Sequence, residues 1–329
     1  MPSRRAVDRI AVLGLGLIGG SLALRLASHH EVVCYDRDPA ALRAAAESGL
    51  RVADTIPAAV AGRQLIVVAV PTPALLDVLA RVTAAADAGA VITDVSSVKV
   101  PALAAWRAAA GDRAGTVRYV GGHPMAGTEL TGFAAADPQL FRGASWALCL
   151  EDDTDLAAWL RLTQLLVGIG SRVVPTRAAG HDAAVARVSG LPHLLALVLA
   201  RVAAAGGPLA LSLAAGSFRD GTRVAAANPE LVAVLTDGNR EALLAATDEA
   251  LQELESMRDM LATGGSQLAA ARAGRADRQR WSTQFETRTE LVLTASDPDA
   301  TEALLRLGAA GGRVVEVDGP KLLCVLPGL

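Results

Sequence analysis

A glycine-rich segment near the middle of the chain, GGHPMAGTE at residues 121–129, places His123 shortly before Thr128 and Glu129. Histidine is the side chain whose ordinary pKa best suits proton transfer near neutral pH. Catalytic and binding residues occur disproportionately in loops. The alternative is that His123 is a surface histidine with no chemical task, and the surrounding sequence has to decide between the two.

A second polar cluster, DVSSVK at residues 94–99, follows the apolar run AVITDV, which predicts a buried strand. Ligands of open α/β sheets bind beyond the carboxyl ends of the strands, so we expect this cluster and the His123 segment to meet there. His123 would then be the base for a substrate hydroxyl, and Ser97 would hydrogen-bond the same hydroxyl. Ser96 and Ser97 could also cap the helix predicted to follow.

The glycine loop GLGLIG at residues 14–19 lies between a predicted strand and a predicted helix, which is the context a dinucleotide pyrophosphate requires. Asp36 ends the second predicted strand, where a carboxylate binds ribose hydroxyls and repels a 2′-phosphate. The sequence therefore predicts NAD in preference to NADP, although Arg37 could hold the extra phosphate. The alternative is a glycine turn without a ligand. The predicted cofactor-binding residues are Gly14, Gly16, Leu17, Ile18, Gly19, Asp36, Arg37, Val70 and Pro71.

Alternating strand and helix patterns predict a doubly wound, Rossmann-type α/β domain over residues 1–177. Only helical patterns follow over 178–285, which we interpret as an all-α dimerisation and substrate domain. Residues 286–329 form a tail with a β–α–β–β pattern. It could resemble part of an ACT-type ligand-binding unit or simply add a layer of sheet.

The helical region contains a segment, 181–206, that is apolar nearly all round, and we expect it to be buried on every side. A second subunit would provide that cover, which predicts a homodimer. The segment 239–264 is amphipathic, with one apolar stripe formed by Leu244, Leu251, Leu254 and Leu261. No apolar stretch has the character of a lipid-facing span, because 191–206 contains proline, histidine and arginine.

The net charge of −3 and the pI of about 6.0 do not indicate a nucleic-acid partner. Cys34, Cys149 and Cys324 are far apart and lie in apolar runs, which is typical of buried thiols in a reducing cytoplasm. The arginines near the N-terminus precede a strand–loop–helix pattern, so we do not interpret them as part of an export signal. We expect a cytoplasmic protein without a metal site or a membrane partner.

Several motifs occur together in one order: GLGLIGGSLA, DVSSVK, GGHPMAGTE, HD at 181–182, LPH at 191–193 and FRDGTR at 218–223. In this combination the chain resembles the TyrA family, the prephenate and arogenate dehydrogenases of tyrosine biosynthesis. The resemblance covers residues 8–262. It implies a Rossmann-type domain followed by a helical dimerisation domain.

The resemblance also implies a reaction, the NAD-dependent oxidative decarboxylation of prephenate to 4-hydroxyphenylpyruvate. His123 would accept the proton of the ring hydroxyl and Ser97 would orient that hydroxyl. Substrate-binding roles fall to Arg223, His193, Glu129, Thr128 and Ser96. His181 and His193, each considered by itself, are more typical of satisfied core histidines than of ligand contacts. Tyrosine is a candidate feedback inhibitor.

The chain departs from the family pattern at Gly190, where a histidine often stands, and near Val232, where a tryptophan is common. Arogenate dehydrogenase is the nearest alternative, and Glu129 could bind the arogenate ammonium. A β-hydroxyacid dehydrogenase would use a lysine in its helical domain, and none occurs between Lys99 and Lys321. A non-catalytic NAD-binding sensor is the remaining alternative.

Overall fold

The computed structural model describes residues 8–128 and 130–328, and its contacts divide the chain into two units. The first unit contains the chain up to His181 together with Thr289–Leu326. The second contains Asp182–Arg288 together with the chain from Pro327 onward. Most of the C-terminal tail therefore belongs with the N-terminal region rather than with the helices that precede it.

The first unit begins with the predicted parallel sheet. Its strands are β1 (Arg9–Leu13), β2 (Glu31–Tyr35), β3 (Arg51–Val52), β4 (Leu65–Val68), β5 (Val91–Asp94) and β6 (Arg118–Val120). They pair in parallel in the order β3-β2-β1-β4-β5-β6. The strand order reverses between β1 and β4, and this crevice at the carboxyl ends is where ligands bind in such sheets.

Helices pack on both faces of this sheet. They are α1 (Leu17–Ala27), α2 (Pro39–Glu47), α3 (Ile56–Val60), α4 (Thr72–Ala85) and α5 (Lys99–Ala110). Alternate residues of β1 face opposite sides, so Ile10 joins a core with Leu22 of α1 and Leu13 joins one with Leu79 of α4. Burial on both faces explains why the strands are continuous apolar runs.

The run VRYVGGH at residues 117–123 has the pattern of one strand, but the structure divides it, because β6 ends at Val120 and the chain leaves the first sheet at Gly121. Residues Gly122–Pro124 form β7, which pairs with β8 (Ser145–Cys149) and not with the parallel sheet. A Cβ added at Gly122 would lie 2.9 Å from the carbonyl oxygen of Asp94, so glycine permits this close crossing. His123 consequently lies on a second sheet, beside the end of β5. Helix α6 (Leu156–Gly168) and strand β9 (Arg172–Thr176) follow β8.

The second unit is helical, as predicted. Its elements begin in the long helix formed by α7 (Ala178–Val185), a π-helical segment (Ala186–Gly190) and α8 (Leu191–Ala205). They continue as α9 (Gly207–Ser212), α10 (Gly216–Thr222), a 3₁₀ turn (Arg223–Ala226), α11 (Pro229–Gly238), α12 (Arg240–Ala262) and α13 (Leu268–Thr283).

One copy of the chain does not bury the segment 181–206 on every side, so the cover predicted for it would have to come from a second subunit. Val198, Leu199 and Val202 are 55%, 51% and 67% exposed. The reason is that the buried core of this unit is small: Ala186, Leu243 and Ala246 form its one cluster among the described residues, and Val185 and Ala196 are also buried. By length and composition alone, Ala178–Ala205 could also cross a membrane. That test does not separate a membrane span from a helix that another protein surface covers.

The tail has the predicted β–α–β–β order: β10 (Arg288–Thr294), α14 (Ala300–Ala309), β11 (Arg313–Asp318) and β12 (Lys321–Pro327). Its strands complete the second sheet, whose order is β10-β12-β11-β9-β8-β7. β11 and β9 pair in antiparallel fashion, with Val314 opposite Val173. The tail thus extends the sheet that carries His123, rather than forming an appendage of its own. The sequence prediction of a single doubly wound sheet is corrected to two sheets of six strands among the described residues.

Candidate active site

The glycine loop after β1 has the close packing that a dinucleotide cradle needs. Gly14 has φ +97°, and a Cβ there would lie 2.3 Å from the carbonyl oxygen of Ala69. A Cβ on Gly19 would lie 1.9 Å from the carbonyl oxygen of Gly14, so helix α1 rests directly on the loop. At Gly16 an added Cβ would meet nothing within 4 Å. This open position, at the start of a helix, fits a pyrophosphate that approaches the backbone and the helix N-terminus.

Asp36 lies at the end of β2 and holds the loop in place. Its Oδ2 accepts a hydrogen bond from the backbone N–H of Leu15 at 2.6 Å, and its Oδ1 accepts one from Asp38 at 2.8 Å. Each carboxylate oxygen has a second lone pair for a ribose hydroxyl. Arg37 beside it is exposed. The carboxylate is therefore positioned both to shape the loop and to bind a ligand.

Val70 and Pro71 follow β4 at the same edge of the sheet. Gly14 packs against this turn, because a Cβ there would lie 3.1 Å from the nitrogen of Val70. Leu17 and Ile18, in the first turn of α1, are partly exposed. The fold thus brings the predicted cofactor-binding segments together around the carboxyl ends of β1, β2 and β4.

A buried polar network lies at the carboxyl end of β5. Asp94 Oδ1 accepts a hydrogen bond from the Tyr119 hydroxyl at 2.7 Å, while its Oδ2 pairs with Lys99 Nζ and with the hydroxyl of Ser96. Burial by itself raises the pKa of the Asp94 carboxyl. Lys99, Ser96 and Tyr119 reverse that effect, so the pKa lies below its ordinary value. The carboxylate therefore remains charged and anchors the network.

Ser96 and Ser97 do not cap α5. That helix begins at Lys99 with Val98 at its N-cap, which makes no side-chain capping bond. The Ser96 side chain instead points into the buried network, and Ser97 is partly exposed at the sheet edge. Only Ser97 of the two is thus accessible at this edge, and the substrate-binding role predicted for Ser96 could act only through Asp94.

His123 is held between this network and a second histidine. Lys99 Nζ donates to the carbonyl oxygen of Gly122 at 2.6 Å, directly before His123. His123 Nδ1 lies 2.9 Å from Nε2 of His181. Burial, followed by electrostatic interactions with His181 and Lys99, lowers the pKa of His123 well below 6.5, and Asp94 opposes this only in part. The ring is therefore neutral at physiological pH, as a general base requires.

The segment after His123 returns to the cofactor-binding helix. Asp137 donates its backbone N–H to Ser21 Oγ at 2.9 Å, and Phe133 packs on Gly20, where a Cβ would lie 2.8 Å from the ring. The candidate base and α1 are thereby joined through one loop. Thr128 is exposed and accepts the backbone N–H of Leu130 at 3.2 Å. Glu129 lies outside the described residues.

Two predicted substrate ligands belong to the second unit. Arg223 is exposed and begins the 3₁₀ turn after α10. His193 lies in the first turn of α8, where its Nδ1 is 2.8 Å from the carbonyl oxygen of Ser189. Nδ1 must carry a proton to make this bond, so the neutral ring presents Nε2 as an acceptor.

Known protein families account for most of the chain. A family model described as the nucleotide-binding domain of prephenate dehydrogenase matches residues 21–175, and one described as its dimerization domain matches 177–270. The prephenate dehydrogenase of Bacillus subtilis (strain 168) is 31% identical over 265 residues, covering 76% of this chain and 69% of that protein. The chain belongs to the prephenate dehydrogenase family.

Solved structures agree with this family. A protein of Corynebacterium glutamicum, provisionally assigned as a prephenate dehydrogenase, is 38% identical with a TM-score of 0.84, covering 93% of this chain and 98% of that one. The arogenate dehydrogenase of Synechocystis is 28% identical with a TM-score of 0.73, covering 83% and 99%. The predicted resemblance, the fold class and the assignment as an NAD-dependent dehydrogenase of this family are confirmed.

Membership of the prephenate dehydrogenase family leaves two buried residues that the sequence did not place at the site. Lys99 was noted only as part of a motif, and His181 was interpreted as a satisfied core histidine. The structure places both against the His123 segment. The available signal for Lys99 was a lysine at the start of an apolar helix in a chain with only one other lysine, Lys321. A charge in such surroundings needs a partner.

The departures from the prephenate dehydrogenase pattern have a partial structural explanation. Gly190 is buried at the end of the π-helical segment, and a Cβ there would lie 2.9 Å from Leu243 Cδ1 of α12. A side chain at this position would displace the side chain of Leu243, so glycine and the packing of Leu243 belong together. Val232 is partly exposed on α11, and nothing in the structure explains why an aromatic residue is replaced there.

Proposed function

We propose that this chain is a prephenate dehydrogenase, which oxidises and decarboxylates prephenate to 4-hydroxyphenylpyruvate with NAD⁺. The observation that carries the proposal is the environment of His123, a ring kept neutral by burial at the edge of a dinucleotide-binding sheet. Family membership supplies the substrate class. Catalytic roles for His123 and Ser97 follow as part of the proposal.

His123 Nε2 accepts the proton of the ring hydroxyl while Ser97 holds that hydroxyl in position. The O–H electron pair becomes the carbonyl bond as hydride leaves the same carbon. The electrons of the bond to the ring carboxylate then enter the ring as CO₂ departs, and the aromatic oxygen takes the proton back from His123. NAD⁺, when bound, supplies the hydride acceptor. Aromatisation of the ring makes the reaction essentially irreversible.

Arg223 is the proposed ligand of a substrate carboxylate, because a guanidinium forms two parallel hydrogen bonds with such a group. His193, Thr128 and Glu129 would complete the pocket. Ser96 would contribute through Asp94, since its hydroxyl already donates to that carboxylate. These roles are carried over from the family motifs.

NAD⁺ is the proposed cofactor in preference to NADP⁺. Support comes from Asp36, whose carboxylate closes the end of β2 and would lie against a 2′-phosphate with like charge. The backbone N–H groups of Leu15, in the glycine loop, and of Asp38 both donate to this carboxylate. It therefore cannot rotate away from the 2′-phosphate position without breaking these hydrogen bonds. Arg37 is exposed and would be the residue to recruit for NADP⁺ use.

Arogenate oxidation is the second candidate, and one observation favours considering it. The hydrogen bond from His193 Nδ1 to Ser189 leaves Nε2 as an acceptor, which suits an ammonium better than a ketone. The Synechocystis relative is an arogenate dehydrogenase. Prephenate remains the first candidate substrate. The Bacillus relative is named a prephenate dehydrogenase, and its identity to this chain, 31%, exceeds the 28% of the Synechocystis protein.

The active form is proposed to be a homodimer that buries the apolar face of α8. The dimerization-domain match covers this helix, and three of its aliphatic side chains are more than half exposed in one copy. Feedback inhibition by tyrosine is proposed from the family resemblance alone. We also propose a cytoplasmic location, consistent with Cys34, Cys149 and Cys324, which are buried and form no disulfide bonds.

The deciding experiment gives the purified protein prephenate or arogenate with either NAD⁺ or NADP⁺ and follows the absorbance of the reduced cofactor. Reduction with prephenate and NAD⁺ is the expected result. Turnover of arogenate instead would assign the sister activity with the same residues. A protein that binds NAD⁺ yet reduces it with neither substrate would contradict the enzymatic proposal and favour a sensor.

A further inference from the structure

The candidate base makes a direct contact with a second imidazole. His123 Nδ1 and His181 Nε2 are 2.9 Å apart, and the rings meet edge-on with 5.1 Å between centroids and 71° between planes. His181 is only 4% exposed. A hydrogen bond between two imidazole nitrogens holds one proton, so one ring donates and the other accepts.

We propose that His181 is a positioning residue, which accepts the Nδ1–H of His123 and so keeps Nε2 of His123 free to take the substrate proton. The proposal rests on the proposed function, in which His123 is the base. It assigns to this buried histidine a role that sequence reasoning had treated as core packing.

A neutral imidazole exists as two tautomers. Its single proton can be on either nitrogen, and only the nitrogen without it can act as a base. The nitrogen of His123 that faces His181 is Nδ1. An acceptor at this position favours the tautomer with the proton on Nδ1, which is the one that leaves Nε2 basic.

The same contact serves the protonated base. When the proton of the ring hydroxyl bonds to Nε2, His123 becomes an imidazolium whose Nδ1–H still donates to His181. No hydrogen bond has to be remade between the two forms, which is the kind of preorganisation that lowers a barrier.

The position of His181 is fixed by elements that do not depend on His123. Its backbone N–H donates to the carbonyl oxygen of Arg177 at 2.9 Å in the first turn of α7. That helix follows β9, which pairs with β8, the strand that pairs with β7 and places Ala147 opposite His123. The two histidines therefore meet because adjacent strands of the second sheet deliver them to one end.

The test compares His181→Gln with His181→Leu. Glutamine places an amide oxygen near the position of Nε2 and can accept from His123, whereas leucine fills a similar space without an acceptor. We expect kcat of the leucine variant to fall about 100-fold, within the range of acid–base effects. The glutamine variant should recover at least 10-fold of this loss. The KM for substrate and the Kd for NAD⁺ should change less than threefold in both.

The tautomer itself can be read by nitrogen NMR of histidine-labelled protein, with His123→Asn used to assign the signals. We expect His123 to be protonated on Nδ1 in the wild type and to show both tautomers in the leucine variant. His29→Leu, at an exposed histidine, is the matched control and should keep wild-type kcat and the Nδ1 tautomer.

A leucine variant with wild-type kcat would overturn the proposal, as would a folded glutamine variant no more active than the leucine variant. If the leucine variant fails to fold, the glutamine variant and the wild-type NMR spectrum still decide the question. Full activity of His123→Asn would instead remove the proposed function of the base. The His181 variants therefore test the positioning role, and the His123→Asn variant separately tests whether His123 is the base.

Discussion

Lys99 donates a hydrogen bond from Nζ to the carbonyl oxygen of Gly122 at 2.6 Å, and Gly122 directly precedes the candidate base. The same ammonium pairs with Asp94, and both side chains are buried. Lys99 begins α5 on the parallel sheet, whereas Gly122 begins β7 on the second sheet. One buried charge therefore joins the two sheets at the point where His123 must be held.

Replacing Lys99 with methionine is expected to lower the free energy of unfolding by about 3–5 kcal/mol, because Asp94 is left as a buried charge without its cation. Urea denaturation measures this change. Lys321→Met, at an exposed lysine, is the matched control and should change stability by less than about 0.5 kcal/mol. Adding Asp94→Asn to the Lys99→Met variant should restore part of the loss. A Lys99→Met variant as stable as the control would show that the pair contributes little.

We expect kcat/KM to keep its neutral-pH value when the pH is lowered to 6.5. The pKa of His123 is lowered well below 6.5, first by burial and then by His181 and Lys99. A base acts only when unprotonated, so kcat/KM should be flat from neutral pH down to 6.5 and fall only below it. A pH profile of kcat/KM measures this. An acid limb centred at or above 6.5 would contradict the assigned environment.

The same shift affects stability. Between the lowered folded-state pKa of His123 and its ordinary value of 6.5, the unfolded chain binds a proton that the folded chain does not. The free energy of unfolding should therefore fall as the pH drops below 6.5. His123→Asn should reduce this dependence and lower turnover about 10²–10⁴-fold while NAD⁺ still binds. Near-normal turnover in that variant would remove His123 from its role.

The glycine loop permits a paired test of cofactor binding. At Gly16, φ is −71° and an added Cβ meets nothing within 4 Å, so Gly16→Ala should fold normally. Its methyl group would occupy the proposed pyrophosphate position and raise the Kd for NAD⁺ about tenfold, equivalent to about 1.4 kcal/mol. Calorimetric titration measures the affinity.

Gly14→Ala is the contrasting variant. It requires φ +97° and places a Cβ 2.3 Å from a carbonyl oxygen, so it should cost more than about 1–2 kcal/mol of stability in urea denaturation. Unchanged NAD⁺ affinity in Gly16→Ala would place the pyrophosphate elsewhere.

Arg223→Ala should raise the KM for prephenate about 10–100-fold, the value of a lost charged hydrogen bond. The Kd for NAD⁺ and the unfolding transition should be unchanged, because Arg223 is exposed in its own unit. Arg219→Ala, in the same segment and also exposed, is the matched control. Equal losses for substrate and cofactor would mean that Arg223 has a structural role.

Val202→Glu should convert the proposed dimer to a monomer, because it places a charge on the apolar face of α8. Val202 is 67% exposed in one copy, so the substitution should not unfold the chain. Sedimentation velocity measures the mass. Leu76→Glu, at a half-exposed leucine of α4 in the first unit, is the control and should remain dimeric. A wild-type chain that sediments as a monomer would contradict the proposed interface.

The sequence alone determined the local chemistry and the order of elements. The glycine loop and the position of Asp36 at a strand end follow from spacing, since a helix N-terminus and a strand end are local features. The long helix ending at Ala205 follows from its apolar composition. Its composition also led us to expect a second subunit as cover, but periodicity could not reveal which of its side chains one copy of the chain leaves exposed, because burial depends on what packs against the helix.

Tertiary structure alone decided which distant residues meet. The chain changes sheet at Gly121, and this change allows distant segments to pair. β11 returns to pair with β9, where Val314 lies opposite Val173, 141 residues earlier in the chain. His123 contacts His181 in the same sheet region. Such pairings depend on strand order and register, which the period of apolar residues does not encode. Lys99 is the clearest case: its position predicts a helix start, and only the crossing of β7 beside β5 turns it into a support for the base.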